Sequence, residues 1–158
     1  MSDDNHVRPH ILVIEARFYE DIADALYEGV RAELEAADVT HERVTVPGVF
    51  EIPAVIRMAV RSMDFFAGRR RFDGYVALGC VIRGETTHYD YVCSESARKL
   101  QDLACDHTLA LGYGILTCEN KEQAWVRAAV DQKNKGKDAA EACLAMLDVK
   151  RRFHLFPR

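Results

Sequence analysis

Four short strand-like runs, at residues 10–14, 42–46, 74–78 and 109–118, alternate with segments whose apolar residues recur at helical spacing. This alternation is the strongest constraint on the chain. Parallel strands joined by helical crossovers form right-handed βαβ units, so the pattern predicts a parallel sheet covered by helices on both faces. We expect an α/β three-layer sandwich whose four strands lie in the order 2-1-3-4, the simplest doubly wound solution. After the first run, Ile22, Leu26, Val30 and Leu34 keep helical spacing. Pro47-Gly48 stops the second run, because proline cannot donate to a ladder and glycine permits an unusual turn. A short loop, Val49-Phe50-Glu51, then leads to Pro53 in the first turn of a helix with Val55, Met58, Ala59 and Met63 as its apolar face. Residues 65–72, with three arginines, read as a connecting loop.

The third run is the most apolar, Gly74-Tyr75-Val76-Ala77-Leu78, as suits a strand buried on both sides. It leads into Gly79-Cys80-Val81-Ile82-Arg83-Gly84-Glu85-Thr86-Thr87-His88-Tyr89-Asp90, a turn dense in chemistry, and then into a helix over 91–103. Gly112 and Gly114 blur the limits of the fourth strand. Asn120 can cap the next helix, with Ala124, Trp125 and Ala128 as apolar positions, and residues 133–137 interrupt the pattern. It resumes over 139–149 with Ala140, Cys143, Leu144 and Leu147, and residues 151–158 are basic and aromatic.

Length and charge narrow the class of function. A chain of 158 residues suffices for one domain, expected over 10–158 behind a polar, flexible tail at 1–9. The net charge of -4, with both signs scattered, gives no basic stripe for nucleic acid. The five cysteines, Cys80, Cys93, Cys105, Cys118 and Cys143, form no paired metal spacing and read as reduced thiols. No apolar run resembles a signal peptide or a membrane span, so cytoplasmic residence is expected.

In a parallel sheet all strand ends lie on one edge, where such folds bind ligands. Phe18, residues 47–51, 80–88 and 113–118 should therefore converge. Phe18 could stack a planar heterocycle or plug the core; Glu51 could bind sugar hydroxyls or complement a helix dipole. Thr86, Thr87 and a helix N-terminus could hold phosphate, while His88 could be a proton carrier or a surface histidine. Helical spacing gives no reason to single out Arg127 or Lys135.

Ala16-Arg17-Phe18, Pro47-Gly48-Val49-Phe50-Glu51-Ile52-Pro53 and residues 79–92 resemble, in order, the signature loops of the lumazine synthase family. Glu119-Asn120-Lys121-Glu122-Gln123-Ala124, Arg127 and Asn134-Lys135-Gly136 are similar to its C-terminal region, so the resemblance spans about residues 10–150. It implies condensation of 5-amino-6-(ribitylamino)uracil with 3,4-dihydroxy-2-butanone 4-phosphate to 6,7-dimethyl-8-ribityllumazine, phosphate and water, without metal or redox cofactor. It implies that Phe18 stacks on the pyrimidine, that Val49, Phe50 and Glu51 hold the ribityl chain, and that Val81 and Ile82 meet the uracil edge. Glu85 and Thr86 would bind the phosphorylated substrate and His88 would transfer protons. Tyr113, Arg127 and Lys135 would complete the phosphate site of a neighbouring subunit in a homo-oligomer built on pentamers.

The chain departs from the family at several points. Where shell-forming members tend to carry glycines it has residues 128–134 without one, which favours a smaller pentamer-based assembly. Asp131 stands where many relatives have lysine and weakens the positive field around the phosphate. Tyr113 replaces a more usual Phe or His. The competing reading is a lumazine- or flavin-binding or scaffold paralogue with reduced catalysis; an unrelated phosphate-binding α/β enzyme would leave Phe18 and the 47–53 loop unexplained.

Overall fold

The structure is a computed structural model and describes residues 8–65 and 72–157. Most of the expected tail over 1–9 and of the connecting loop over 65–72 therefore lies outside the described residues. Four strands, β1 (His10–Ala16), β2 (Thr40–Val46), β3 (Gly74–Ile82) and β4 (Ala110–Cys118), form one sheet. All pairings are parallel, and the order is β2-β1-β3-β4, as the alternation predicts.

The five helices are α1 (Glu20–Ala36), α2 (Ile52–Ser62), α3 (His88–His107), α4 (Lys121–Ala128) and α5 (Lys135–Arg152). One core lies between the sheet and α1, α4 and α5, the other between the sheet and α2 and α3. Ile22, Leu26, Val30 and Leu34 are all fully buried. Each contributes about 2 kcal/mol relative to an exposed side chain. No helix among the described residues is long and apolar enough to cross a membrane.

Most departures from the sequence expectations concern boundaries, and each has a local cause. β1 runs on through Glu15, a charge that conceals a strand residue because its burial depends on partners elsewhere in the fold. β2 begins earlier, at Thr40, since an edge strand can carry polar residues on exposed positions. β3 continues to Ile82, paired with Cys118, so what reads as a turn from Gly79 onward is strand for its first four residues. α3 starts at His88; its exposed first turn lacks apolar periodicity.

Residues Val49–Glu51 form a 3-10 turn instead of a loop. α2 buries Ile52, Pro53 and Ile56, while Met58, expected on its apolar face, is exposed. Trp125 is likewise largely exposed, whereas Ala124 and Ala128 are buried. Asn120 caps α4 as expected, accepting a 2.9 Å bond from the Gln123 amide, and Gln123 Oε1 accepts in return from the Glu119 amide at 2.8 Å. α5 begins at Lys135 because Gly136 is buried within its first turn, so the Lys-Gly-Lys sequence is helix rather than interruption. The basic C-terminal segment folds back: Phe156 is buried, with the Arg151 guanidinium 4.7 Å from its ring centroid.

The glycines that blur β4 have a packing role. A Cβ at Gly112 would stand 1.9 Å from the Ala139 carbonyl oxygen of α5, so glycine alone lets the helix backbone lie this close to the strand. Gly112→Ala should therefore lower stability by roughly 1–3 kcal/mol or more in thermal unfolding. Gly84→Ala, where a Cβ meets nothing within 4 Å, should leave the melting temperature nearly unchanged.

Candidate active site

Because β2, β1 and β3 are adjacent and parallel, the loops that leave them stand side by side on the carboxyl edge of the sheet. In the first, Phe18 is 74% exposed, its ring set edge-on against Tyr19 at 4.9 Å between centroids. In the second, the turn that follows Pro47-Gly48 exposes Phe50 and Glu51. Val49 behaves differently. Its side chain is buried beneath the edge, in space left by Gly79, where a Cβ would meet Val49 Cγ1 at 2.4 Å. Val49 thus anchors the turn from beneath, while its neighbours Phe50 and Glu51 face the solvent.

The third loop follows β3. Val81 and Ile82 end the strand half-buried, and residues 83–88 are exposed. The Arg83 amide donates to the Cys118 carbonyl at 2.9 Å, prolonging the ladder by one step. Its guanidinium donates to Glu119 at 2.9 Å and Asp90 at 3.3 Å and lies 4.3 Å from the Tyr89 ring centroid. Glu119, with lesser help from Asp90, raises the Arg83 guanidinium above its ordinary value. The loop is thus tied at its root to the exit of β4 and the first turn of α3. Beyond that root, Glu85, Thr86 and His88 are free to meet a ligand. Thr86 Oγ1 accepts from the His88 amide at 3.3 Å, and His88 opens α3, whose N-terminal dipole favours an anion.

Tyr113, Arg127 and Lys135 form a second group. They line a cavity of about 340 Å³ with residues 114–117 and Asp138. Tyr113 does not reach the carboxyl edge: it pairs in register with Ala77, well inside β4, and so sits on the outer flank of the sheet. Tyr113 itself thus stands back from the edge, whereas β4 ends there beside β3, with Cys118 opposite Ile82, so the four strand ends do meet and the Tyr113 cluster lies to one side. Arg127 Nη1 donates to the Gln123 carbonyl at 3.0 Å and Lys135 Nζ to Asp138 at 3.0 Å, which leaves further donors on both side chains. Burial raises the Tyr113 phenol, keeping it neutral and able to donate toward an anion.

Two further features escaped the sequence reading. One is the Arg83 network; the other is a bridge in which Arg17 joins Glu15 to Asp24 across the first loop. The adjacent position of Arg17 and Phe18 was the available signal for the second. Cys80 and Cys118 lie under the site, and burial pushes the Cys80 thiol up to about 12.

An exposed aromatic, a carboxylate, a hydroxyl and an imidazole gathered on the carboxyl edge of a parallel sheet define a doubly wound α/β protein with a small-molecule site. The sequence narrows this class further. The family model for 6,7-dimethyl-8-ribityllumazine synthase matches residues 8–151, and the chain belongs to that family. It is 55% identical over 143 residues to 6,7-dimethyl-8-ribityllumazine synthase 1 of Rhizobium meliloti, covering 90% of this chain and 92% of the relative. It is 50% identical over 153 residues to the synthase of Bartonella tribocorum, covering 97% of each chain. The synthase of Agrobacterium fabrum is 52% identical over 145 residues, covering 92% of this chain and 97% of the relative.

Burial that disfavours the Cys80 thiolate also shields the sulfur from reagents. Iodoacetamide should leave Cys80 unmodified in the folded protein and alkylate it after denaturation, as read by peptide mass spectrometry.

Proposed function

We propose that the protein is a 6,7-dimethyl-8-ribityllumazine synthase: it condenses 5-amino-6-(ribitylamino)uracil with 3,4-dihydroxy-2-butanone 4-phosphate, releasing phosphate and water. The row Phe18, Glu51, Thr86 and His88 on one sheet edge, in a chain of this family, carries the reading. Phe18 stacks on the pyrimidine. Val49, Phe50 and Glu51 hold the ribityl chain, the Glu51 carboxylate accepting from the chain's hydroxyls, while Val81 and Ile82 meet the uracil edge. Glu85, Thr86 and the start of α3 receive the phosphorylated substrate. His88 takes and returns protons as the imine forms, phosphate leaves and the ring closes, a task that suits imidazole near neutrality. Positioning of two reactive partners supplies much of the acceleration. The named relatives are all called synthases, which favours the enzyme over a scaffold that only binds lumazine or flavin.

Arg127, Lys135 and Tyr113 act on the phosphate held by an adjacent subunit. Their separate cavity on the outer flank of β4 supports this, as does the apolar groove of about 770 Å³ between α3 and α5, which Tyr113 also borders. Copies of the chain cover that groove in a pentamer-based assembly. The linker of residues 128–134, which has no glycine, favours an assembly smaller than a shell. Asp131 is exposed in that linker, and its negative charge slows capture of the anionic substrate. Residues 10–158 act as one domain, and the free thiols suit the reducing cytoplasm.

Purified protein should form lumazine, followed by absorbance, faster than the spontaneous condensation; an equal rate would sink the assignment. Arg127→Ala should raise KM for the phosphorylated substrate about ten- to a hundredfold, since charge-assisted bonds are worth roughly 1.5–3 kcal/mol. His88→Ala should lower kcat more modestly. Mixing His88→Ala and Arg127→Ala subunits should recover activity in about a quarter of sites, whereas a site within one chain would recover none.

A further inference from the structure

Glu15 is 1% exposed, and a carboxylate so deeply buried is tolerable only when paired and hydrogen-bonded. Arg43 of β2 supplies half of that pairing, with Nε at 2.8 Å and Nη2 at 3.1 Å, and its guanidinium also rests 3.4 Å from the Tyr27 ring centroid. Arg17 supplies the rest from Nη1 at 2.9 Å, and its Nη2 donates to Asp24 of α1. Arg17 therefore joins the end of β1 to the second turn of α1, spanning the loop that contains Phe18. Tyr19, the N-cap of α1, makes no side-chain cap bond and instead packs against the core, so the Arg17 bridge is the polar tie across the loop among the described residues. The Arg17 side chain is drawn in toward Glu15, while Phe18, in the bend that follows, stands open to solvent. An exposed phenylalanine has no apolar reason to stand 74% open to water, and left free it would fold down onto the surface.

We propose that Arg17 is a positioning residue: by bridging Glu15 and Asp24 it fixes the 17–19 loop so that the Phe18 ring stands ready to stack the pyrimidine substrate. The inference rests on the stacking role proposed for Phe18. Asp24, ahead of Glu15, raises the Arg17 guanidinium, which agrees with a bridge held at both ends.

The test measures calorimetric Kd for 5-amino-6-(ribitylamino)uracil, and KM for both substrates, on four single variants and two double variants of the full chain. Phe18→Ala and Arg17→Ala should each weaken pyrimidine binding about tenfold, the scale of a lost base–aromatic stack. KM for the phosphorylated substrate should stay within about twofold. The Arg17→Ala/Phe18→Ala double variant should be no weaker than either of its single variants, because both changes act through one ring. Arg43→Ala removes the other guanidinium from the same carboxylate and should leave both constants within about twofold. Asp24→Ala cuts the bridge at its exposed end, so it tests the inference even where Arg17→Ala fails to fold; it should weaken the pyrimidine severalfold and add nothing to Phe18→Ala. Additive losses, equal losses in Arg43→Ala, or unchanged binding in Arg17→Ala and Asp24→Ala would overturn the positioning role while leaving the stacking role intact. Unchanged binding in Phe18→Ala would overturn both.

Discussion

The constraint on which the molecule depends is that its four strands run the same way and are covered on both faces. Parallel strands must send every exit to one edge and return every crossover over a face. The site residues after β1, β2 and β3 need no long-range device to meet; adjacency in the sheet brings them together. The same constraint leaves β4 with an open flank, since it has β3 on one side and lies at the end of the order. The chain thus has two chemically distinct surfaces, an edge that exposes an aromatic ring, carboxylates and an imidazole and a flank that carries cations.

Rigidity is distributed to match. Backbone contacts that exclude even a methyl group, such as Gly112 against Ala139 and Gly79 against Val49, lock α5 and the 49–51 turn onto the sheet. The loops themselves are held by charge. Arg83 ties the β3 exit to Glu119 and Asp90, and Arg17 ties the β1 exit to Glu15 and Asp24. Buried packing fixes where these loops begin, and at the β1 and β3 exits a guanidinium bridge spans the turn.

Strand order and layer arrangement were legible in the sequence because they follow from periodicity and handedness. Element limits were less so wherever tertiary partners override local signals: Glu15 reads as a strand end but is strand, and Gly136 reads as a break but lies in a helix. Met58 and Trp125 fit a helical stripe without being buried, since a stripe does not say how far the neighbouring layer extends. In the site, residue type and resemblance pointed to Phe18, Glu51, Thr86 and His88, and the sheet edge brings their loops together. That Val49 is buried while Phe50 and Glu51 are exposed was not legible, because a side chain's direction within a 3-10 turn is not written in the spacing. The placement of Tyr113 depended on β3–β4 register, which no local pattern carries.

The flank also bears on the life of the newly made chain. Tyr113, Met146, Phe153 and Leu155 border the groove there and are all substantially exposed, Phe153 at 70%. Contiguous apolar surface of this kind is adhesive until something covers it. A chain whose core has already formed therefore still presents an adhesive face, so completing the fold does not by itself end the risk of aggregation. The modest net charge of -4 offers limited colloidal protection against it. The yield of soluble protein is thus set in part by a surface that folding leaves wet.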